Sequence, residues 1–145
     1  MQEALSSIVL LYGLLGELHM SIQSHQQSFV TINGPSVQGP RMPVKIRSHC
    51  MVYYNQSMIF LIGGNQDDYH DSSANTWIVD PTNGFKVTPG PSMKMARSNL
   101  ACGIIDKNGH PLVIAAGGFN SNSQLILNTT ELLDPSSNQG WELGK

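Results

Sequence analysis

Five histidines and one acidic segment are the groups in this chain that could bind a metal. The histidines are His19, His25, His49, His70 and His110. None of them lies in a His-Glu-x-x-His motif or in a close His pair with a third ligand nearby. His70 follows Asp67, Asp68 and Tyr69 in the segment "NQDDYHD", whose order is not that of a calcium-binding loop. The sequence therefore predicts a solvated loop here, with no metal and no cofactor.

Motifs for nucleophilic catalysis or phosphate binding are also missing from the sequence. It has no Ser-His-Asp order and no nucleophile elbow. The segment "GGFNSN" at 117–122 is rich in glycine but lacks the lysine and the following helix of a phosphate-binding loop. These observations predict that the chain is not an enzyme.

The composition favours one small β domain with many turns. Only 12% of the residues are charged, and the formal net charge is −2. Apart from Arg41, Lys45 and Arg47 the basic residues are scattered, which argues against binding to nucleic acid. With 14 glycines and 8 prolines, the chain is typical of an all-β protein rather than of a low-complexity one.

Three landmarks recur along the chain: a Gly-Gly pair after an apolar run, an Asp-Pro pair, and an aromatic residue. They are Gly63, Gly64, Asp80, Pro81 and Phe85 in the first copy, and Gly117, Gly118, Asp134, Pro135 and Trp141 in the second. The two Gly-Gly pairs and the two Asp-Pro pairs are each 54 residues apart, and the aromatic residues are 56 apart. Landmarks that recur in one order at one spacing predict an internal repeat.

Each copy of the repeat has the pattern of four short strands. The predicted strands are 49–54, 58–64, 75–80 and 84–90 in the first copy, and 100–105, 111–118, 128–134 and 140–144 in the second. Apolar and β-branched runs separated by turn residues favour an antiparallel meander. We expect the glycines to permit close backbone approach, the aspartates to bond the turns locally, and Phe85 and Trp141 to pack between neighbouring sheets.

The repeat resembles the kelch repeat, over residues 28–145. The resemblance rests on the strand ending in Gly-Gly, the polar loop, the Asp-Pro turn, the following aromatic residue and the period near fifty. Val79 and Leu133 stand where the usual pattern has tyrosine. The resemblance implies an all-β, incomplete kelch β-propeller with two four-stranded antiparallel blades, at about 28–83 and 84–145. The segment "SFVTING" at 28–34 would be a single strand of a preceding blade.

The N-terminal segment and the cysteines bear on location. Residues 1–24 contain an apolar run that fits either a signal peptide or a buried apolar segment, and it is too short to span a membrane comfortably. Cys50 and Cys102 lie at similar places in the two copies and could form a disulfide or remain two buried thiols. Asn55 and Asn128 begin glycosylation acceptor sequences. A secreted location is slightly favoured.

The resemblance implies a non-enzymatic module that binds an unknown protein partner, as part of a larger propeller. Asp67, Asp68, Tyr69, His70 and Asn120 are the candidate contact residues, because they lie in the polar loops. One alternative is the substrate-recognition part of a ubiquitin-ligase adaptor. Another is a fragment of a galactose-oxidase-like copper enzyme, which the missing histidine pair disfavours. Self-association could also close the propeller between chains.

Overall fold

The computed structural model of the chain describes residues 42–66 and 71–144, and before them the backbone of four strands at 9–11, 18–23, 26–31 and 37–41. The described chain is all β, apart from a single turn of 3₁₀ helix at Pro81–Asn83. Within these residues no helix has the length and apolar character needed to cross a membrane.

Three four-stranded antiparallel sheets follow one another along the chain, each with its strands in sequence order. Sheet I consists of β1 (Val9–Leu11), β2 (Leu18–Gln23), β3 (Gln26–Thr31) and β4 (Val37–Arg41). Sheet II consists of β6 (Cys50–Asn55), β7 (Met58–Ile62), β10 (Thr76–Asp80) and β11 (Lys86–Pro89). Sheet III consists of β12 (Ala101–Lys107), β13 (His110–Ala116), β16 (Thr130–Leu133) and β17 (Glu142–Leu143).

Short strands accompany sheets II and III at the end where the Gly-Gly pairs lie. β5 (Ile46–Arg47), β8 (Asn65–Gln66) and β9 (Asp71–Ser72) form a small sheet. β14 (Phe119–Asn120) and β15 (Leu125–Ile126) form a hairpin. Ser98 forms a β-bridge with Phe119 of β14, and Arg47 of β5 forms the corresponding pair with Asn65 of β8. The small strands therefore also follow the internal repeat.

Strand register repeats between sheets II and III with a shift of 54 residues. Trp77 lies opposite Leu61 in sheet II, and Glu131 lies opposite Ala115 in sheet III. The same shift relates every pair along β7–β10 to a pair along β13–β16. Sequence position plus 54 thus identifies equivalent residues over these strands.

The structure departs from the sequence prediction at the N-terminal end. The single strand predicted at 28–34 is instead part of a four-stranded sheet, in which β3 is the third strand. β1 and β2 fall within the segment 1–24, and β2 pairs with β3. The prediction failed because this stretch carries neither a Gly-Gly nor an Asp-Pro landmark, although its strands have the same order.

The core lies on both faces of sheet II because successive side chains of a strand point to opposite faces. Met51, Ile59 and Leu61 belong to a cluster on one face. Val52, Phe60 and Ile62 belong to a second cluster. This cluster also contains three residues of sheet III and one residue of the turn before β17, namely Val113, Ala115, Leu133 and Trp141. The second cluster is the packed junction between sheets II and III.

Candidate functional site: the junction of sheets II and III and its open copy

Both Gly-Gly pairs adopt the same backbone conformation, which L side chains rarely adopt. The φ angles are 63° and 94° at Gly63 and Gly64, and 62° and 93° at Gly117 and Gly118. Gly63 N–H donates to the Asn75 carbonyl at 2.9 Å, and Gly117 N–H donates to the Thr129 carbonyl at 3.0 Å. The two pairs are therefore structural equivalents, and positive φ favours glycine at these positions.

Sheet III packs directly on the first Gly-Gly pair. Gly64 N–H donates to the Arg97 carbonyl at 2.8 Å, and a Cβ at Gly63 would clash with that same carbonyl oxygen. Met93 N–H likewise donates to the Ala74 carbonyl at 2.8 Å. The first pair thus contacts the chain that leads into sheet III, and the approach of the Arg97 carbonyl to Gly63 depends on the missing Cβ.

Among the described residues, no following sheet packs on the second Gly-Gly pair. A Cβ at Gly118 would clash with the Ser98 carbonyl oxygen, but Ser98 belongs to the same copy of the repeat, as Arg47 does beside Gly64. The nearest atom to a Cβ at Gly117 is the Leu127 carbonyl oxygen, in the segment between β15 and β16, at 3.5 Å. Across the described chain, no acceptor lies opposite Gly118 N–H, whereas its equivalent Gly64 N–H is bonded across the junction. This end of sheet III has the form of a junction whose other half is missing from the described chain.

Exposure of equivalent side chains shows the same asymmetry. Ser72 on β9 is 5% exposed because β14 and Ser121 cover it, whereas its equivalent Ile126 on β15 is 87% exposed. Phe60 and Ile62 are buried, while their equivalents Ile114 and Ala116 are only half-buried. One face of sheet III is therefore a partly apolar surface that nothing in the described chain covers.

A groove of about 350 Å³ lies on this open face. Leu112 and Leu132 form its floor, and Lys107, His110, Asp134 and Glu142 are among its charged or titratable lining residues. On sheet II the equivalent residues, Met58 and Ile78, line a second groove, and residues of the turn between β16 and β17 line the same groove. The groove is thus the place where a following turn would lie, and its polar rim is open to solvent.

Trp141 anchors sheet III to sheet II. Its indole is fully buried, and Nε1–H donates to the Pro91 carbonyl at 3.0 Å and to Thr76 Oγ1 at 3.2 Å. Phe85, the aromatic residue of the first copy, is half-buried and packs against the cluster on the other face of sheet II. Both residues lie immediately before the last strand of their sheet. The equivalent of Thr76 in sheet III is Thr130, which is half-buried on the open face.

A buried ion pair, which the sequence analysis did not identify, holds the start of sheet III. Arg97 and Glu131 are both fully buried, with Nη2 and Oε1 2.8 Å apart. Arg97 Nη1–H also donates to the Gly117 and Thr129 carbonyls at 2.9 and 3.0 Å. Glu131 accepts from the backbone N–H groups of Lys94 and Met95 at 2.6 and 3.0 Å. The pair fixes the second Gly-Gly pair relative to the chain entering the sheet.

The first copy of the repeat replaces this ion pair by apolar side chains. Trp77 is equivalent to Glu131 by strand register. Ile46 is equivalent to Arg97, because each directly precedes the residue that pairs with the strand after the Gly-Gly pair. Ile46 is buried, and Trp77 packs against the same cluster. Pro43 stands where Lys94 donates its N–H in the second copy, and proline has no N–H to satisfy. Exchanging a buried ion pair for apolar residues is energetically feasible.

Cys50 and Cys102 are joined by a disulfide in the structure, with their Cα atoms 5.9 Å apart. Cys50 begins β6 and Cys102 lies in β12, so the bond links the first strands of sheets II and III. These strands lie side by side, and β1 of sheet I also lies against β6. The disulfide therefore ties together strands that meet at one side of the three sheets.

His49 is a buried titratable residue beside the first Gly-Gly pair. It is 6% exposed, and among the described residues neither ring nitrogen has a hydrogen-bond partner. Burial lowers the pKa of His49 to about 4, so the ring is neutral at pH 7. A Cβ on Gly64 would contact the His49 Cβ, so the glycine makes room for the imidazole. Leu100 occupies the equivalent place beside Gly118.

One of the five sequence-predicted contact residues, Asn120, lies within the described residues. Asp67, Asp68, Tyr69 and His70 lie outside the described residues. Asn120 is half-buried, and its Oδ1 accepts from Asn122 and Ser123 N–H at 3.0 and 3.2 Å, so its side chain holds the β14–β15 turn.

The two Asp-Pro turns are also equivalent. Asp80 Oδ1 accepts from Thr82 N–H and Oγ1–H at 2.9 and 2.7 Å, and Asp134 Oδ1 accepts from Ser136 N–H and Oγ–H at 2.9 and 2.6 Å. The side-chain bond from Ser136, then its backbone bond, hold the pKa of Asp134 below its usual value. Both aspartates stabilise their own turns.

No family model and no curated protein matches the chain. Among solved structures, it is similar to a fungal alcohol oxidase of the AA5 family in complex with copper, with a TM-score of 0.68 and 17% identity. The match covers 88% of this chain and 29% of the oxidase, so the chain spans less than a third of that protein's length. At this identity the likeness concerns the fold.

The comparison contradicts the expected function. The sequence analysis favoured a non-enzymatic protein-interaction module, whereas the similar solved fold belongs to a copper alcohol oxidase. The kelch resemblance itself finds no matching family model. The sequence favoured interaction because loops on a repeat scaffold commonly bind proteins, and that argument does not distinguish an interaction scaffold from an enzyme scaffold.

Proposed function

We propose that the chain is a scaffold segment of a kelch-type β-propeller protein with the architecture of the copper alcohol oxidases. Sheets I to III are three consecutive blades, and β1, β6 and β12 are their inner strands. The carrying observation is the junction at Gly63–Gly64, which has an equivalent, uncovered copy at Gly117–Gly118. A propeller closes with four to eight blades, so a further blade lies against the open face of sheet III.

The copper chemistry of such a protein lies outside the described residues. In residues 42–66 and 71–144, no three His, Cys, Asp or Glu side chains are grouped so as to hold a metal ion. His49 offers one neutral imidazole with both nitrogens unpartnered, and both cysteines are consumed by the disulfide. A single nitrogen does not make a copper site, which commonly uses several imidazole, thiolate or oxygen ligands. The described residues therefore do not fit copper by themselves.

In a propeller scaffold, the Cys50–Cys102 disulfide would hold two neighbouring blades together. A bond between the inner strands of two blades keeps them together when the ring opens locally. Disulfides persist in oxidising compartments and are rare in the cytosol. We therefore place the protein on the secretory route, in agreement with the slight preference from the sequence.

Metal analysis and oxygen uptake test the proposal. The purified chain is incubated with Cu(II), passed through a desalting column, and assayed with a panel of alcohols. We expect less than one copper per ten chains and no alcohol-dependent oxygen consumption. The protein isolated from its source is expected to contain copper and to oxidise an alcohol.

Two results would contradict the proposal. One copper per chain together with oxidase activity would mean that this segment holds a complete centre. A source protein that carries neither copper nor oxidase activity would remove the oxidase part of the proposal. In that case the propeller scaffold would still be tested by the variants of Gly63 and Gly117 described below.

A further inference from the structure

The turn between β6 and β7 presents one asparagine in a form suited to modification. Asn55 and Gln56 are exposed at the tip of this turn, and Ser57 is half-buried. The Asn55 Oδ1 accepts from Ser57 N–H at 3.0 Å and from Ser57 Oγ–H at 3.1 Å. The side-chain oxygen is thus engaged within the turn, while the amide nitrogen Nδ2 has no partner among residues 42–66 and 71–144.

Asn55, Gln56 and Ser57 form an Asn-x-Ser acceptor sequence for N-linked glycosylation. Such triplets also arise by chance, so position and compartment must decide. The turn lies at the tip of a hairpin, away from the Gly-Gly junctions that join the sheets. The Cys50–Cys102 disulfide indicates an oxidising compartment, which is where this modification takes place.

From these observations we infer that Asn55 carries an N-linked glycan. The reaction forms a bond between Asn55 Nδ2 and C1 of a sugar that is donated by a lipid-linked oligosaccharide. Nδ2 loses one proton, and the lipid pyrophosphate leaves C1 as the bond to the asparagine forms. No electron transfer is involved. The inference rests on the proposed secretory location but not on the oxidase part of the proposed function.

Asn128, the other acceptor asparagine, has a different surrounding. It is exposed, but its equivalent Ala74 in sheet II packs in the junction, where its carbonyl accepts from Met93 N–H of the next sheet. A glycan on Asn128 would occupy the space that the proposed further blade needs. Asn128 therefore serves as the internal control for Asn55.

The test uses the full 145-residue chain, secreted from yeast behind a cleavable signal. Peptide-N-glycosidase digestion followed by intact mass analysis is applied to four forms: the unchanged chain, Asn55→Gln, Ser57→Thr and Asn128→Gln. We expect one glycan on the unchanged chain, its loss in Asn55→Gln, and its retention in Ser57→Thr and Asn128→Gln. Ser57→Thr preserves the acceptor sequence and shows that a change in the turn alone does not remove the glycan.

The outcomes separate the two proposals. An unmodified secreted chain, or a glycan that persists in Asn55→Gln, would overturn the assignment to Asn55. Two glycans, one of them lost in Asn55→Gln, would support the assignment and argue instead against a further blade at the open face. Secretion of Asn55→Gln with its disulfide intact, checked by thiol labelling, shows that the variant folds.

Discussion

Replacing one glycine in each Gly-Gly pair by alanine measures how much the junction between sheets depends on close backbone approach. Gly63→Ala and Gly117→Ala face the same backbone cost, because both glycines have φ near 62°. An L residue in this conformation costs about 1–2 kcal/mol. Only Gly63→Ala also places a methyl group against the Arg97 carbonyl, while the methyl group of Gly117→Ala meets no atom closer than 3.5 Å.

The expected difference follows from the clash. Relieving it moves sheet III away from sheet II and weakens the bond from Gly64 N–H to the Arg97 carbonyl. Overpacking of this kind costs about 1–3 kcal/mol. We therefore expect Gly117→Ala to lower the free energy of unfolding by about 1–2 kcal/mol, and Gly63→Ala by about 2–5 kcal/mol.

Urea unfolding, followed by the fluorescence of Trp77 and the fully buried Trp141, measures both values. Equal destabilisation by the two variants in the 145-residue chain would show that the approach of the Arg97 carbonyl to Gly63 does not contribute to stability. The same pair measured in the protein isolated from its source gives a second result. There Gly117→Ala should become as costly as Gly63→Ala, because a further blade would bring its own carbonyl to Gly117.

Three further predictions concern the interior. Glu131→Ala leaves Arg97 buried without its counter-charge and should lower the free energy of unfolding in urea by about 3–5 kcal/mol. The exposed control Glu142→Ala should lower it by less than about 0.5 kcal/mol. Equal effects of the two variants would contradict a stabilising role of the buried ion pair. The folded-state pKa of His49 is about 4, below the ordinary 6.5, so stability should fall by roughly 3 kcal/mol as pH drops from 6.5 to 4, because only the unfolded chain takes up the proton. His49→Leu should remove this loss and His110→Gln should not; an unchanged pH dependence in His49→Leu would show that other groups cause it. The Cys50–Cys102 bond closes a loop of 52 residues, so its reduction should lower the free energy of unfolding by about 4 kcal/mol. Urea unfolding with and without reductant measures this difference. A stability independent of reductant would mean that the bond does not form.

The repeat landmarks explain how much of the fold could be predicted. Gly-Gly, Asp-Pro and aromatic residues impose local conformations, so the strands of sheets II and III lie close to the predicted ranges. Sheet I lacks these residues, and its strands depend on pairing with one another, a non-local property that one sequence does not display.

The candidate site was harder to predict because it consists of contacts between residues of different sheets, which are far apart in the sequence. Nothing in the local sequence of Arg97 shows that its carbonyl meets Gly64 or that its guanidinium meets Glu131, 34 residues later. A charged residue inside an apolar strand, as Glu131 is in "TELL", is the one signal that could have indicated a buried partner. His49 gave no signal, since a single histidine reads equally well as a surface residue.

Hydrogen exchange at Gly118 in the protein isolated from its source is the most direct test of a further blade on the open face of sheet III. Peptides covering Gly64 and Gly118 are compared by mass spectrometry, since the first glycine lies in a covered junction and the second in its open copy. We expect the Gly118 amide to be protected as strongly as the Gly64 amide, because a further blade would supply its acceptor. Exchange of the Gly118 amide at the rate of a solvent-exposed group, with Gly64 still protected, would contradict the continuing propeller.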